Sequence, residues 1–400
     1  MKKHIEQLHS LANKPYRKII GLMSGTSLDG LDVALCRCEG SGLASNVSIL
    51  EFKTIPYSAA IKEKILPVFS KREGDIERMV LLNGWIGCQH ADMILNCLKE
   101  WNIKPENVDL IASHGQTIYH APKRLHQQAE FGNATLQLGD GDHIAVKTGI
   151  ITVSDFRQKH IASGGEGAPL AVYGDYLIFS KKDENRIMLN IGGIANFTWL
   201  PGNMNAAEVF STDTGTGNTL MDAYVQKHFP GKYCDQDAAL AKQGTVLEPL
   251  LDALLDHPFF KSGFPKTIGP ELFNLSYLDA AKQKAGLLEA SHYDLLATLN
   301  AFSATSIAEA LRRTLKGRTD FTVFVSGGGM HNPLLMESIS NLMPGVLFTT
   351  TQDLEINPDA KEALLFAILA NECVAGSAEG PGNIEEGIPA VTMGKISFPS

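Results

Sequence analysis

Several things are scarce in this sequence, and each scarcity excludes something. Six cysteines are scattered over 400 residues, too few for a disulfide scaffold, so a reducing cytoplasm is the expected setting. Positive charge is not in excess: 35 Lys and Arg against 44 Asp and Glu leave a formal net charge of -9. No footprint for nucleic acid or an anionic membrane follows from that balance. No apolar run approaches the roughly 18–20 residues that span a bilayer. The opening "MKKHIEQLHSLANKPYRK" has basic residues without an apolar core and does not read as a signal peptide. G-x-S-x-G and H-E-x-x-H are both missing, which removes the usual signs of a serine hydrolase or a zinc peptidase. The glycine-rich stretch "GLMSGTSLDGLDVALCRC" (21–38) also lacks the lysine of a Walker phosphate loop.

What is present is ordinary globular material, 44% hydrophobic and 20% charged, long enough for about two domains. Residues 1–15 read as a polar extension with a loose helix. "KIIGLM" is a short apolar strand, the glycine-rich knot turns at Asp29-Gly30, and "LDVALCRC" alternates as an antiparallel partner. Cys36 and Cys38 fall on that alternation and are expected to pack in the core. Both the Walker loop and the dinucleotide turn lead into a helix instead. Helical periodicity covers 58–71, 74–101, about 236–257, 292–316 and 359–376. "RIMLNIGGIANFTWL" (186–200) repeats the strand, glycine turn, strand arrangement, and "FTVFVSGGGMHNPLLMESI" (321–339) runs strand, three glycines, helix.

Three glycine turns directly after buried strands point to phosphate or nucleotide binding, because backbone N–H groups approach an anion where no Cβ intervenes. The acidic residues beside them carry the candidate chemistry. Asp29 and Asp32 flank the first turn, where Asp32 suits Mg²⁺-bound water. Asp213, in "STDTGTGN" at a strand end, suits a general base next to a phosphoryl group. Asp155 in "VSDFRQKH" is similarly placed, with Arg157 able to hold a carboxylate or phosphate. His114 ends an apolar strand, in a structural or a substrate-facing role, and Glu362 opens the last helix.

The segments "GLMSGTSLDGLDVAL", "ASHGQTIYH", "TLQLGDGDHIA", "SDFR", "GGEGAPL", "LNIGGIANFT", "DTGTGN", "SGGGMHNPLLM" and "EALLFAILA" follow one another as in anhydro-N-acetylmuramic acid kinases, and the sequence resembles that family over roughly 17–398. The resemblance implies an α/β, two-domain sugar kinase/Hsp70/actin-like (ribonuclease H-like) fold with the ATP cleft between domains. Domain I would be 1–156, with 364–400 returning to it, and domain II 157–363. It implies ATP with Mg²⁺, an anhydro-sugar acceptor and a cytoplasmic homodimer. The reaction would phosphorylate the 6-oxygen of 1,6-anhydro-N-acetylmuramate while water opens the anhydro bridge, giving N-acetylmuramate 6-phosphate for cell-wall recycling. It places the ATP phosphates on Gly25, Thr26, Ser27, Leu28, Asp29, Gly30, Leu31 and Asp32, and on Gly192 and Gly193. Adenosine would lie on Gly327, Gly328, Gly329 and Asn332. Asp213 would be the catalytic base and Glu362 the substrate-side carboxylate. His114, Asp155, Arg157, Lys159 and Gly215 would line the acceptor, and Asp29 and Asp32 would meet Mg²⁺ through ATP. The acceptor-side loops depart from the usual family pattern, with Thr216 for a proline and Glu166 for a glutamine. A kinase for another 1,6-anhydro sugar such as levoglucosan, or an ATP-switched binding protein, is the alternative.

Overall fold

The structure is a computed structural model that describes residues 2–25, 28–269, 272–377 and 390–400. Spatial contacts divide the chain into unit 1 (1–180, 205–209 and 355–400) and unit 2 (181–204 and 210–354). Against the expected boundaries at 156/157 and 363/364, the main crossings fall at 180/181 and 354/355.

In unit 1 the chain runs α1 (Lys2–Ala12), β1 (Tyr16–Ser24), β2 (Gly30–Glu39), β3 (Asn46–Pro56), α2 (Ala59–Ile65) and α3 (Ile76–Glu100). It continues through β4 (Leu110–Ala121), α4 (Lys123–His126), β5 (Ala134–Leu138), α5 (Gly141–Thr148), β6 (Thr152–Ser154), α6 (Phe156–Ala162) and α7 (Ala171–Phe179). Unit 2 holds β7 (Arg186–Ile191), β8 (Ile194–Leu200), β9 (Phe210–Thr216), α8 (Thr219–His228), α9 (Glu248–Leu255), α10 (Pro258–Lys261) and α11 (Leu275–Ala285). It closes with α12 (His292–Leu315), β10 (Thr322–Ser326), α13 (Pro333–Leu342) and β11 (Leu347–Thr350). The chain then returns to unit 1 as α14 (Lys361–Ala375) and β12 (Lys395–Ser397).

The two sheets share one plan. Unit 1 orders its strands β12-β6-β4-β1-β2-β3, with β5 beside β4, and unit 2 orders its own β11-β10-β7-β8-β9. In each, three antiparallel strands (β1-β2-β3 and β7-β8-β9) continue into two parallel ones (β4 and β6, β10 and β11). The first strand of each set is therefore central and must be apolar on both faces. Accordingly Ile19, Ile20 and Leu22 in β1, and Ile187, Met188 and Leu189 in β7, are buried.

α14 is buried along Ala363–Glu372 and lies across β1, where Gly21 makes the approach possible. A Cβ on Gly21 would sit 1.9 Å from the Ala363 carbonyl oxygen. Gly21→Ala is therefore expected to lower unfolding stability by about 3 kcal/mol, since helix backbone rather than a flexible side chain must move; denaturant titration measures it.

The opening of the chain is better anchored than its polarity indicates. The buried Arg17 guanidinium donates to the carbonyls of Lys14 (2.9 Å) and Gly40 (2.8 Å) and to Asn371 Oδ1 (2.6 Å). These bonds tie the end of α1 to β2 and α14.

Two local expectations are corrected. The first hairpin does not turn on two residues: β1 ends at Ser24 and β2 begins at Gly30, with Leu28 in the left-handed region at φ 53°. The Asp29 carbonyl accepts from Tyr57 N–H (2.8 Å), so contact with the neighbouring strand end, rather than turn propensity, sets this loop. The stretch 236–257 is not one helix. It is two short 3₁₀ turns, Gln236–Ala238 and Ala241–Gln243, then α9. Thr245 N–H and Leu247 N–H bond Asp294 Oδ1 (2.7 Å) and Thr298 Oγ1 (3.0 Å) on α12. Those bonds hold the segment between turns and helix extended. Cys36 and Cys38 are fully buried in the unit 1 core, as expected.

Candidate functional site

In unit 1 the first glycine turn hangs from a buried polar network. Ser24 Oγ bonds Gln116 Oε1 (2.5 Å) and the Tyr57 hydroxyl (2.8 Å), which meets His90 Nε2 at 2.8 Å. Gln116 Nε2 in turn donates to the Gly25 carbonyl (2.9 Å). Gln116 was not singled out from the sequence, although "SHGQT" contains it. Leu28 and Leu31 are buried and anchor the turn to the core, Gly30 opens β2, and Thr26 and Ser27 lie outside the described residues. Asp32 follows in β2 with Oδ1 accepting from Thr54 Oγ1 (2.6 Å). Burial, and to a lesser degree the charges of Asp29 and Asp359, push its carboxyl upward against that hydrogen bond.

Of the residues expected on the acceptor side, His114 and Arg157 come together in unit 1. Its Nε donates to His114 Nε2 (2.9 Å) and its Nη1 to the Gly167 carbonyl. His114 is buried, lies tilted against Phe366 at 4.7 Å between ring centroids, and has its pKa held well below the usual value by burial and by Arg157. It is a neutral acceptor that orients the guanidinium. Burial lowers Arg157 to about 10, partly offset by Glu362, so it stays cationic at neutral pH. His160 Nδ1 accepts from Gly167 N–H (2.9 Å) and shapes the same loop.

Glu362 stands in the first turn of α14. Water reaches its side chain, yet surrounding protein, with the charges of Asp32 and Asp29, holds its carboxyl above the ordinary range; Lys361 and Arg157 oppose this. Lys361 itself pairs with the buried Asp175 on α7 (2.8 Å), fixing the helix start. Asp155 is paired with Lys395 of β12, and Lys159 is exposed on α6.

In unit 2 the second glycine turn, Gly192-Gly193 between β7 and β8, is braced by the β9–α8 loop. Gly217 N–H and Thr219 N–H reach the Gly193 carbonyl (2.8 and 3.2 Å), and Asn218 N–H reaches that of Gly192 (2.9 Å). Only glycine fits at 217, where a Cβ would lie 2.2 Å from the Gly192 oxygen. Asp213 lies in the middle of the adjoining β9, paired with Asn196, rather than at the expected strand end; it accepts Ile268 N–H on Oδ2 (2.7 Å), while its own N–H donates to the Lys266 carbonyl (2.9 Å). Gly215 packs on Ser306 of α12. Gly193, Thr216, Thr219 and Ile268 line one shallow depression, so the turn and the residue that steadies Asp213 share a surface.

The third glycine segment follows β10. Gly328 and Gly329 form a 3₁₀ turn that packs on Ile191, with Gly327 before it at φ 84°. Asn332 caps α13: its Oδ1 accepts Leu335 N–H (3.0 Å) and is met by Asn300 Nδ2 (3.2 Å). The sequence does not reveal Lys266, Ile268 or Lys361, because each acts through a partner remote in the chain.

A family model described as anhydro-N-acetylmuramic acid kinase matches residues 17–397. The chain is 58% identical to an anhydro-N-acetylmuramic acid kinase of Pseudoalteromonas atlantica, covering 100% of both chains. It is 55% identical to that of Pseudoalteromonas translucida, again over 100% of both. A relative of the same name from Caldanaerobacter subterraneus is 39% identical, over 98% of this chain and 100% of its own.

Proposed function

Since this chain belongs to the anhydro-N-acetylmuramic acid kinase family, and is accordingly an ATP-dependent sugar kinase, we propose how its residues divide the reaction. The enzyme phosphorylates O6 of 1,6-anhydro-N-acetylmuramate from ATP while water opens the 1,6-bridge, giving N-acetylmuramate 6-phosphate and ADP. The bridging ether oxygen has no proton to lose, so the proton to be removed belongs to the water. Asp213 takes it. The support is Asp213's place in β9, the strand that leads into the loop bracing the Gly192-Gly193 turn, with Ile268 N–H on Oδ2 at 2.7 Å; that donor orients the carboxylate.

The amides of the Gly25–Asp32 and Gly192-Gly193 turns receive the ATP phosphates, and Gly327–Gly329 with Asn332 supports the adenosine. Asp29 and Asp32 are oxygen donors beside the first turn. They suit Mg²⁺, which needs only one or two carboxylates when phosphates and water complete its shell; when bound it supplies charge neutralisation at the phosphates. Arg157, oriented by His114 and assisted by Lys159, receives the acceptor's lactyl carboxylate, and Glu362 faces the sugar. Asp155 and Gly215 shape that side. Among the described residues no helix is long and apolar enough to cross a membrane. A cytoplasmic homodimer with ATP and the sugar as its small-molecule ligands completes the proposal.

Coupled ADP release with a sugar panel tests it. Anhydro-N-acetylmuramate is expected to raise ATP turnover far above the sugar-free rate, and levoglucosan to do so weakly. Turnover that no sugar stimulates, with ATP bound, would instead favour a switched binding protein.

A further inference from the structure

Lys266 is an uncommon feature next to Asp213. Its ammonium lies over the rings of Phe259 (4.0 Å to the centroid), Phe264 (4.4 Å) and Phe260 (5.9 Å), and donates to the Phe259 carbonyl (2.7 Å). A cation over aromatic faces is held by the ring quadrupoles, most strongly where water is partly excluded. Arg313 of α12 closes the other side: it stacks on Phe264 (5.1 Å) and donates to the carbonyls of Phe260 and Ser262. Burial and the Arg313 charge lower the Lys266 ammonium to about 8, so it is mostly protonated at neutral pH.

The backbone at Lys266 is stitched to β9. Lys266 N–H donates to Thr212 Oγ1 (3.0 Å), and its carbonyl accepts Asp213 N–H (2.9 Å). Two residues on, Ile268 N–H reaches the Asp213 carboxylate. The intervening Pro265 and Thr267 are exposed and contribute little packing. Phe264 and Ile268 pack on apolar clusters at the two ends of the segment, and Lys266 fixes its middle.

We propose that Lys266 is a positioning residue for the catalytic base: its ammonium, caged by Phe259, Phe260 and Phe264, holds the 264–268 segment on β9 so that Ile268 N–H aims the Asp213 carboxylate. The inference rests on Asp213 being the base. It makes a long-range aromatic cage part of the catalytic machinery, although none of its members touches the reacting atoms.

The test compares steady-state kinetics of Lys266→Met, Lys266→Arg, Asp213→Asn and the Lys266→Met/Asp213→Asn double variant in the full-length enzyme. Lys266→Met is expected to lower kcat roughly 10- to 100-fold, the scale of a small misplacement of a catalytic group, with KM for ATP within about twofold. Lys266→Arg, which keeps a cation for the cage, restores most of kcat. In the Asp213→Asn background Lys266→Met has no further effect, because groups acting as a unit are not additive. Circular dichroism shows whether each variant is folded; if Lys266→Met is not, Lys266→Gln gives the same reading. A folded, uncharged variant with undiminished kcat overturns the proposal. So does an equal loss in both backgrounds, which would mark a general structural role. Asp213→Asn with a near-normal rate would instead overturn the base assignment itself.

Discussion

Asp213→Asn is expected to lower kcat by about 10³- to 10⁴-fold while ATP binding changes less than about twofold. The substitution keeps the side chain's shape. Asn Oδ1 can take over the Ile268 N–H, and the backbone bond from residue 213 to the Lys266 carbonyl is untouched. What disappears is the negative charge and the capacity to accept a proton from water. Because the glycine turns at 192–193 and 217 do not depend on that carboxylate, ATP affinity should survive. Coupled ADP-release kinetics and calorimetric titration with ATP check the two halves. A variant that turned over normally would return the role of base to another group; one that lost ATP affinity in parallel would show that Asp213 holds the nucleotide rather than the water.

The features legible in the sequence are those where local chemistry and fold make the same demand. Gly193, Gly327 and Gly329 follow apolar strands because a Cβ at each would press on its neighbours, at 2.5, 2.6 and 2.2 Å, and that need is written into the residues themselves. The apolar runs of β1, β7 and β10 are equally plain, since a central strand must be apolar on both faces. Asp213 stands out because a carboxylate in a polar Gly/Thr stretch has little structural reason to be there, although it lies within β9 and not at its end. Other features were hidden by long-range contacts. Leu28 adopts a left-handed conformation that no leucine advertises. The apolar spacing in 236–257 imitates a helix, whereas hydrogen bonds to Asp294 and Thr298 hold part of it extended. His114 and Arg157 are 43 residues apart and become one unit only when β4 and α6 meet. The pairing of Asp155 with Lys395 of β12 joins residues far apart in the chain. Lys266 and Thr212 are far apart in the chain and meet only when the 264–268 segment lies on β9.

Glu362→Gln is expected to lower kcat by roughly 100-fold and, at the same time, to raise the melting temperature at neutral pH. The two effects share one cause. Surrounding protein and the nearby Asp32 and Asp29 charges raise the Glu362 pKa in the folded protein, despite Lys361 and Arg157. The folded state then holds the proton more tightly than the unfolded chain does. Between the unfolded and folded pKa values the native state carries the extra proton, so stability falls as pH rises through that window. Above it the ionised carboxylate is a standing cost, which Gln does not incur. The melting-temperature advantage of Glu362→Gln over wild type should therefore be largest above neutrality and shrink as the buffer is made acidic. In the wild-type pH–rate profile, a requirement for ionised Glu362 places the acidic limb above the usual carboxylate range, and Gln removes that limb. Thermal melts and kcat across pH 4–9 test both sides. A Gln variant of full activity would show that the charge is not used; one that melted lower at every pH would show that the Glu362 charge serves the fold.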